Sequence, residues 1–245
     1  MHKYFAVIPA RKNSKGIKQK NLQKIGEKPM LQFTFEAAQA SSFLDYTILS
    51  SDDPKAISLA NQLGIYAPFT RPATLSQDNS KSTDVFFHAL DWYQTKFSGY
   101  PDNIVILQPT SPFRTSTDID KALKKFEETG AESLVSVCDV TQHPSDCIIL
   151  DKDEKIKRVQ LSEDKAKPGR QGFQHVFFID GGIYISSVNR FYKEKTMFDN
   201  QSAIHIVNKS HAIDVDYPFD LEIARAMYTY KNIGKNKLVN LLEKK

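Results

Sequence analysis

Short apolar segments alternate with helical patterns along the first part of this chain. Four of these segments predict strands, at residues 4–8, 46–50, 103–107 and 133–138. Between them, apolar residues recur every three or four positions, which is the spacing of one helix face. Consecutive strands that are joined by helices indicate a parallel sheet with helices on both faces. The sequence therefore predicts an α/β fold, a three-layer sandwich around a mostly parallel sheet.

Proline and small polar residues mark where the helices begin. Helices are predicted at residues 29–41, 54–63, 118–129, from Ser82 or Thr83 onward, and from Pro218 onward. Small polar side chains before a helix accept hydrogen bonds from its first N–H groups. The expected caps are Ser51 or Asp53 for the second helix, Ser82 or Thr83 for the third, and Ser116 or Thr117 for the fourth. A metal ligand is the alternative interpretation of Asp52 and Asp53.

Two stretches interrupt the alternation. Residues 64–81 show no periodicity, and ordered loops of this length usually have a function. Residues 140–174 are charged, with a hairpin predicted around 151–154, and are too short to bury a core of their own. We interpret 140–174 as a dimerisation insertion that packs against a second copy of the chain. The core is predicted to comprise 1–139 and 175–235, with strands at 181–185, 203–207 and 212–216, and the Lys-rich end 236–245 to be frayed.

The composition limits the class of protein and of partner. With 245 residues, 40% of them hydrophobic, the chain can form one large α/β domain. The net charge of +4 is mild and its cations are spread along the chain, which favours small anions over a nucleic-acid partner. No apolar run reaches membrane-spanning length and no signal-peptide pattern is present, so no membrane partner is expected. The two cysteines lack metal-site spacing and are typical of a reducing compartment, which predicts a cytoplasmic location.

The loop after the first apolar segment is strongly basic. Within it lie a turn and five cations: Arg11, Lys12, Lys15, Lys18 and Lys20, with the turn at Ser14-Lys15-Gly16. A loop at the end of a central strand can direct N–H groups and cationic side chains toward one anion, and a polyphosphate suits it. The loop lacks both the Walker A pattern and the dinucleotide fingerprint. A solvated basic turn is the alternative interpretation.

Other polar loops are predicted to lie at the same edge of the sheet, because ligands of such sheets bind beyond the carboxyl ends of the strands. The basic loop, the turn at 50–52 and the loop 108–114 should therefore converge. Gln108, Thr110 and Ser111 offer hydrogen-bonding groups in a frame that prolines stiffen, which suits sugar hydroxyls. A rigid structural turn is the alternative. Arg71, in a largely apolar loop, is expected to have a dedicated anionic or carbonyl partner.

Two aspartates near the end of the chain are two positions apart. On an extended segment, the carboxylates of Asp214 and Asp216 leave the same face and need a cation to offset their repulsion. If the basic loop binds a triphosphate, the expected cofactor is Mg²⁺, held by one or both carboxylates together with phosphate oxygens. Alternatively, Asp216 caps the helix that begins at Pro218 and Asp214 is a solvated strand end.

Taken in order, these segments resemble the CMP-sialic acid synthetase (acylneuraminate/nonulosonate cytidylyltransferase) family. The matching blocks are Arg11, Ser14-Lys15-Gly16, Lys20-Asn21-Leu22, Arg71-Pro72-Ala73 with Asp78 and Ser82, residues 107–112, residues 181–185, and Asp214-Val215-Asp216. The resemblance implies a Rossmann-like core of the nucleotide-diphospho-sugar transferase type. It implies that CTP reacts with a nine-carbon 2-keto-3-deoxy sugar acid to give the CMP-sugar and pyrophosphate. It also implies a homodimer in which the insertion of one chain reaches the partner's site.

The resemblance also implies a role for each matching residue. Arg11 and Lys20 would bind the CTP phosphates, in the same loop as the candidate binding residues Ser14 and Lys15. Asn21, Arg71 and Ser82 would contact cytosine and ribose. Gln108 and Tyr184 would contact the sugar, beside Thr110 and Ser111. Arg170 would contact the partner's substrate, and Asp214 and Asp216 would hold Mg²⁺. Asp216 or a metal-bound water would take the proton of the sugar hydroxyl. His143 and His175 are expected to have no catalytic role.

Two stretches depart from the family's pattern, and both lie where the sugar is expected. Ser145-Asp146 follows His143-Pro144 without the usual nearby lysine, and Phe178-Ile179-Asp180 stands where Arg-Pro-Asn is usual. The sugar acid is therefore open among sialate, legionaminate and pseudaminate. A Kdo-type cytidylyltransferase is the nearest enzyme alternative. A non-catalytic nucleotide-binding module and a basic RNA-binding protein are alternatives from other classes.

Overall fold

The structure, a computed structural model, describes residues 2–159 and 174–242, apart from the side chains of residues 158 and 232–242. Within that part of the chain the strands are β1 (Tyr4–Ala10), β2 (Lys24–Ile25), β3 (Lys28–Pro29), β4 (Tyr46–Ser51), β5 (Asn103–Leu107), β6 (Ser133–Asp139), β7 (Ile148–Leu150), β8 (Ile156–Arg158), β9 (Phe177–Ser187) and β10 (Ala203–Ile206). The helices are α1 (Met30–Gln39), α2 (Pro54–Gln62), α3 (Ser82–Phe97), α4 (Ser116–Thr129), α5 (Val188–Glu194) and α6 (Pro218–Leu242).

Six strands form one central sheet in the order β10-β6-β9-β5-β1-β4. β1 runs parallel to β4 and β5, and β10 runs parallel to β6. β9 is antiparallel to both of its neighbours, β5 and β6. The prediction of a mostly parallel sheet is confirmed, and β9 is the strand that departs from it. The carboxyl ends of β1, β4 and β5 consequently lie along one edge.

Helices cover both faces of this sheet. Leu31 of α1 and Leu123 of α4 pack on the face that carries Ala6 and Ile8 of β1. Leu90 of α3 and Phe191 of α5 pack on the opposite face, against Phe5 and Val7. Burial of one such large side chain stabilises the fold by roughly 1.5–3 kcal/mol. Because side chains alternate along β1, this one strand contributes to the packing of the helices on both faces of the sheet.

The starts of the helices test the predicted caps. Asp53 caps α2, because its Oδ1 accepts a hydrogen bond of 3.0 Å from the Lys55 N–H. The cap of α4 is Thr115, so the prediction of Ser116 or Thr117 is wrong. Thr115 forms a reciprocal capping box with Asp118, and that acidic residue decides which of three adjacent hydroxyls is used. α3 begins at Ser82 itself without a side-chain cap, so that prediction is wrong too.

Within the predicted insertion, the described residues contain the hairpin of β7 and β8, as expected. Asp151 closes its turn by accepting hydrogen bonds from the N–H groups of Asp153 and Lys155. At the other end of the chain, α6 continues to Leu242, so most of the stretch that was predicted to be frayed is helical. No helix in the described ranges has the length and apolar character that a membrane span requires.

The segment at 212–216 is not a strand, in contrast to the prediction. A backbone hydrogen bond of 2.8 Å from the Val215 N–H to the Thr110 carbonyl attaches it to the loop after β5. The buried side chain of Val215 packs with Ile17 of the basic loop, Phe113 and Leu221 of α6. This third apolar cluster, outside the sheet, holds the basic loop, the loop after β5 and the two aspartates together.

Candidate active site

A cleft of about 520 Å³ opens at the carboxyl ends of β1 and β5. Ten of the predicted site residues line it: Arg11, Ser14, Lys15, Lys20, Asn21, Arg71, Ser82, Gln108, Thr110 and Asp216. Pockets for small ligands commonly have volumes of about 300–1,000 Å³. The predicted convergence is confirmed for the basic loop and the loop after β5, which both line the cleft. The turn at 50–52 does not line it, but Asp52 Oδ1 accepts a hydrogen bond of 2.8 Å from the Lys12 N–H of the basic loop.

The basic loop and the aspartate segment touch directly across this cleft. Lys20 Nζ lies 2.8 Å from Asp216 Oδ1. A Cβ atom on Gly16 would lie 2.3 Å from the backbone oxygen of Asp216, a distance that only a glycine permits. The turn at Gly16 thus packs its backbone against a segment about two hundred residues later in the chain.

A carboxylate in the same cleft already neutralises two of the predicted phosphate-binding cations. Asp78 lies 2.9 Å from the Arg11 guanidinium and 3.7 Å from Lys15 Nζ. Arg11 also donates to the Gln77 carbonyl at 3.4 Å. Asp78 matched the family motif, but its role as a counter-ion was not predicted. The sequence signal that could have indicated this counter-ion was a carboxylate in the long irregular loop 64–81.

Asn21 and Arg71 are held in place from behind the cleft wall. The buried Asn21 amide donates to the Arg11 carbonyl at 3.1 Å. Arg71, with 4% of its side chain exposed, donates to Ser76 Oγ at 3.0 Å and lies 3.4 Å from Asp52 Oδ1. Burial lowers the pKa of Arg71, and Asp52 opposes that shift. Arg71 therefore has the expected anionic partner, and the structure gives Asp52 and the capping Asp53 structural partners in place of a metal.

An irregularity in β9 places Gly181 beside Gln108, which lines the cleft. Ile179 pairs with Val137 and Tyr184 with Val135, so residues 180–183 lie opposite Ser136 alone. At Gly181, φ is +73°, and a Cβ atom there would lie 3.7 Å from Gln108 Oε1, 3.8 Å from Asp214 Oδ2 and 4.0 Å from the Tyr184 hydroxyl. Bulges often redirect side chains beside active sites. Here the bulge brings together three predicted contacts, two for the sugar and one for the metal.

The two aspartates have different surroundings. Burial raises the pKa of Asp214 and the nearby Asp216 carboxylate raises it further, while the Thr110 hydroxyl and Lys20 oppose that shift. Asp214 Oδ1 is buried and has no hydrogen-bond partner among the described residues. Asp216 does not cap α6. Asp220 accepts the N–H groups of Asp216 and Tyr217 instead, at 3.0 and 2.7 Å, which leaves the Asp216 carboxylate to Lys20.

This pair of carboxylates fits a magnesium ion. Mg²⁺ in nucleotide sites is usually held by one or two carboxylates together with substrate phosphates. An unpartnered carboxylate oxygen beside a second carboxylate is such a donor set. No group of three or more His, Cys, Asp or Glu side chains with metal-binding geometry occurs in the described ranges.

Among the described residues, three of the predicted ones do not line the cleft: Ser111, Tyr184 and Asp214. Ser111 is fully buried and donates to the Asp180 carbonyl at 3.3 Å, so it supports the loop and does not reach a ligand. Tyr184 is half-buried beside Gly181, and burial raises its pKa to about 12, so it offers a neutral hydroxyl. Arg170 lies outside the described residues.

Two buried charges beneath the cleft were missed. Arg114 is 4% exposed and donates to the carbonyls of Gln108 and Gly182. Asp180 is 2% exposed, and its Oδ1 accepts from Ser136 Oγ. Both residues lie in sequence blocks that had been assigned to the site. No periodicity reveals that a charged side chain points inward, because polar residues in loops are expected to face solvent.

Comparison with known proteins gives consistent matches. The family model for cytidylyltransferases matches residues 5–213. The chain is 31% identical to the N-acylneuraminate cytidylyltransferase of Escherichia coli O18:K1:H7 over 95% of its own length and 54% of that protein, so it spans about half of that relative. It is 30% identical to the CMP-N,N'-diacetyllegionaminic acid synthase of Legionella pneumophila, over 88% of this chain and 91% of the relative. It is 27% identical to a pseudaminic acid cytidylyltransferase of Campylobacter jejuni, over 92% and 96% respectively.

Solved structures show the same fold. A CMP:2-keto-3-deoxy-manno-octonic acid synthetase in complex with CTP aligns with a TM-score of 0.67 at 18% identity, over 94% of this chain and 99% of that one. The 4-diphosphocytidyl-2C-methyl-D-erythritol synthase of Anaerococcus prevotii aligns with a TM-score of 0.62 at 11% identity, over 92% and 95%. With a basic loop, Gln108 and Asp216 around one cleft, and a family model that covers most of its length, this chain belongs to the cytidylyltransferase family.

Proposed function

We propose that this protein transfers the cytidylyl group of CTP to a nonulosonic acid of the sialic acid type. The anomeric hydroxyl of the sugar acid attacks the α-phosphorus, the bond to the β-phosphate breaks, and pyrophosphate leaves. The observation that carries the proposal is the contact of Lys20 with Asp216 in a cleft that also holds Arg11, Asn21 and Arg71. Family membership and the names of the relatives support it.

The cleft and the space beside Gly181 would bind different substrates. Arg11, Lys15 and Lys20 attract the triphosphate, and Arg71 with Ser82 lies where the base and ribose would bind. Charge neutralisation by cations that are already in place lowers the barrier without reorganisation. Gln108 and Tyr184, around Gly181, would receive the sugar acid and orient its hydroxyl toward the phosphate.

Asp214 and Asp216 would hold Mg²⁺, which would neutralise phosphate charge when bound. Asp216, on the cleft wall, is the proposed acceptor of the hydroxyl proton. Replacement of Lys20 or Asp214 by alanine should therefore abolish turnover. CTP binding without turnover in the wild-type protein, unchanged in both variants, would instead favour a non-catalytic nucleotide-binding module.

We also propose that the chain acts as a homodimer in the cytoplasm. Ile148, Ile149 and Ile156 of the hairpin are each more than half exposed, and such a short hairpin is marginally stable alone. A second copy would cover these residues, and Arg170 of the insertion would reach the partner's site. The free cysteines Cys138 and Cys147 are typical of a reducing compartment.

The test is direct. The protein is incubated with Mg²⁺, each of the four nucleoside triphosphates, and sialate, legionaminate or pseudaminate in turn, and pyrophosphate release is followed. We expect release with CTP and one of these acids, and a CMP-sugar in the mass spectrum. Release with UTP or GTP but not CTP would refute the base assignment. Absence of release with every combination would refute the proposed function.

A further inference from the structure

The buried guanidinium of Arg114 joins the end of β5 to β9, beside Gln108. Arg114 Nη1 donates to the Gln108 carbonyl at 3.0 Å and to the Gly182 carbonyl at 2.7 Å. The ladder between β5 and β9 ends at the pair Leu107 and Ile183, which are the chain neighbours of Gln108 and Gly182. Pro109 follows Gln108 and has no N–H group to continue a ladder. The guanidinium therefore extends the connection between these strands beyond their last pair.

This connection acts on groups that face the substrate. The carbonyls that Arg114 holds belong to Gln108 itself and to the residue after Gly181. Gln108 Oε1, Asp214 Oδ2 and the Tyr184 hydroxyl meet around Gly181. The position of Arg114 consequently sets the separation between the Gln108 loop and the bulge of β9.

The charge of Arg114 also has a buried counterpart. Burial raises the pKa of Asp180, which is 2% exposed, while Ser136 and the charge of Arg114 oppose that shift. Ser111 attaches the backbone of Asp180 to the same loop. Arg114 Nε and Nη2 have no hydrogen-bond partner among the described residues. A buried cation with incomplete hydrogen bonding is costly, and an apolar side chain of the same length would fill the space at a lower cost.

We propose that Arg114 is a positioning residue for the sugar acid. It touches no substrate, and it acts through Gln108 and the β9 bulge by fixing the distance between them. The inference rests on the proposed cytidylyl transfer. It predicts that a change at Arg114 impairs use of the sugar acid selectively, since its contacts are with Gln108 and β9 and not with the basic loop that would bind CTP.

The test compares two buried arginines. Arg114→Lys keeps the positive charge but loses the planar group that joins two carbonyls. Arg190→Lys is the matched control, because Arg190 is 6% exposed and its partners are Ser186, Thr196 and Asp199, none of which lines the cleft. The measurements are the KM for the sugar acid, the Kd for CTP by calorimetry, and the thermal unfolding midpoint.

For Arg114→Lys we expect the KM for the sugar acid to rise about tenfold or more, since small displacements of positioning groups can reduce rates by on the order of 10²-fold. The Kd for CTP should stay within about twofold. For Arg190→Lys, the unfolding midpoint should fall while both substrate constants stay unchanged. Equal changes in both constants for Arg114→Lys, or a sugar KM like that of Arg190→Lys, would overturn the proposal.

A second variant applies if Arg114→Lys does not fold. Arg114→Met combined with Asp180→Asn removes both buried charges, so no charge is left without its counterpart. It should bind CTP normally and still show the raised KM for the sugar acid. A wild-type KM in this folded double variant would refute the role of Arg114. Failure of the proposed function is distinguishable, because wild-type protein would then release no pyrophosphate from CTP with any of the three acids.

Discussion

Asp214 is half-buried, and its Oδ1 is buried and accepts no hydrogen bond from any described residue. Groups of this kind are retained at a cost in stability where they have a function. Burial raises the pKa of Asp214, so the folded chain binds this proton more tightly than the unfolded chain does. Stability is therefore greatest below the unfolded pKa and falls as the pH rises through the folded pKa.

We expect Asp214→Asn to lower kcat by on the order of 10²-fold or more, because it removes a candidate metal ligand. The same change should raise the thermal unfolding midpoint at pH 8, where wild-type Asp214 is ionised. Near pH 3, where the wild-type group is neutral, the two midpoints should coincide. Calorimetry at both values and a pyrophosphate assay measure this. A variant that is less stable than wild type at pH 8 would contradict the assigned cost of burial.

Asp78 competes with phosphate for Arg11 and Lys15, if those two residues bind the triphosphate. Exposed ion pairs are worth about 0.2–1 kcal/mol. Asp78→Asn should therefore tighten CTP binding by roughly 1.4- to 5-fold, as titration calorimetry would show. Asp153→Asn is the matched control, since Asp153 forms an exposed ion pair with Lys155 in the distant hairpin. Weaker CTP binding by Asp78→Asn would instead mean that Asp78 orients Arg11.

At the scale of elements, the bulge of β9 is the feature that turns a regular sheet into a site. Its four residues face one serine of β6, and Ser136 accepts from the Ile183 N–H at 2.8 Å in compensation. Gly181 takes the left-handed conformation that the bulge requires. The space beside it lies among Gln108, Asp214 and Tyr184.

Alanine substitutions at two glycines distinguish the cost of backbone strain from an effect on substrate binding. Gly181→Ala and Gly130→Ala both place a side chain at positive φ, at +73° and +62°, which costs about 1–2 kcal/mol. The methyl group at 130 meets no atom within 4 Å, whereas the one at 181 meets the site. Both variants should lose similar stability in urea titrations. The KM for the sugar acid should rise in Gly181→Ala alone, and equal kinetics in both variants would argue against a substrate at Gly181.

At the scale of the whole molecule, the exposed hairpin is the feature that a single copy leaves unexplained. Ile149 is 55% exposed and Ile156 is 68% exposed. Apolar surface of this kind, on a hairpin that has no core of its own, is typical of an interface between protein chains. The proposed homodimer would cover it.

Ile156→Lys should therefore convert the dimer to monomers and reduce pyrophosphate release, because the partner's insertion would no longer reach the site. Phe43→Lys, which places a lysine on another exposed apolar residue, is the control and should stay dimeric. Sedimentation velocity at micromolar concentration measures both variants. A wild-type protein that is monomeric and fully active would contradict the proposed dimer.

The sequence by itself determined most of the elements and the edge of the sheet at which the cleft opens. Strand β5 occupies the predicted residues, and Asp53 caps α2 as expected, because side-chain spacing and first-turn hydrogen bonds are local properties. The alternation of strands and helices then places the basic loop and the Gln108 loop at one edge. Local ambiguity limited the rest, since the three adjacent hydroxyl residues at the start of α4 differ only in their distance from Asp118.

Only the tertiary structure decided how these loops meet. The contact of Gly16 with Asp216, the ion pair of Lys20 with Asp216, and the inward direction of Arg114 depend on packing between segments far apart in the chain. The segment at 212–216 has the alternating pattern of a strand, yet Thr110 and the apolar cluster around Val215 hold it outside the sheet. Periodicity records which side of a segment is apolar, whereas the neighbour that buries that side is fixed only when the whole chain packs.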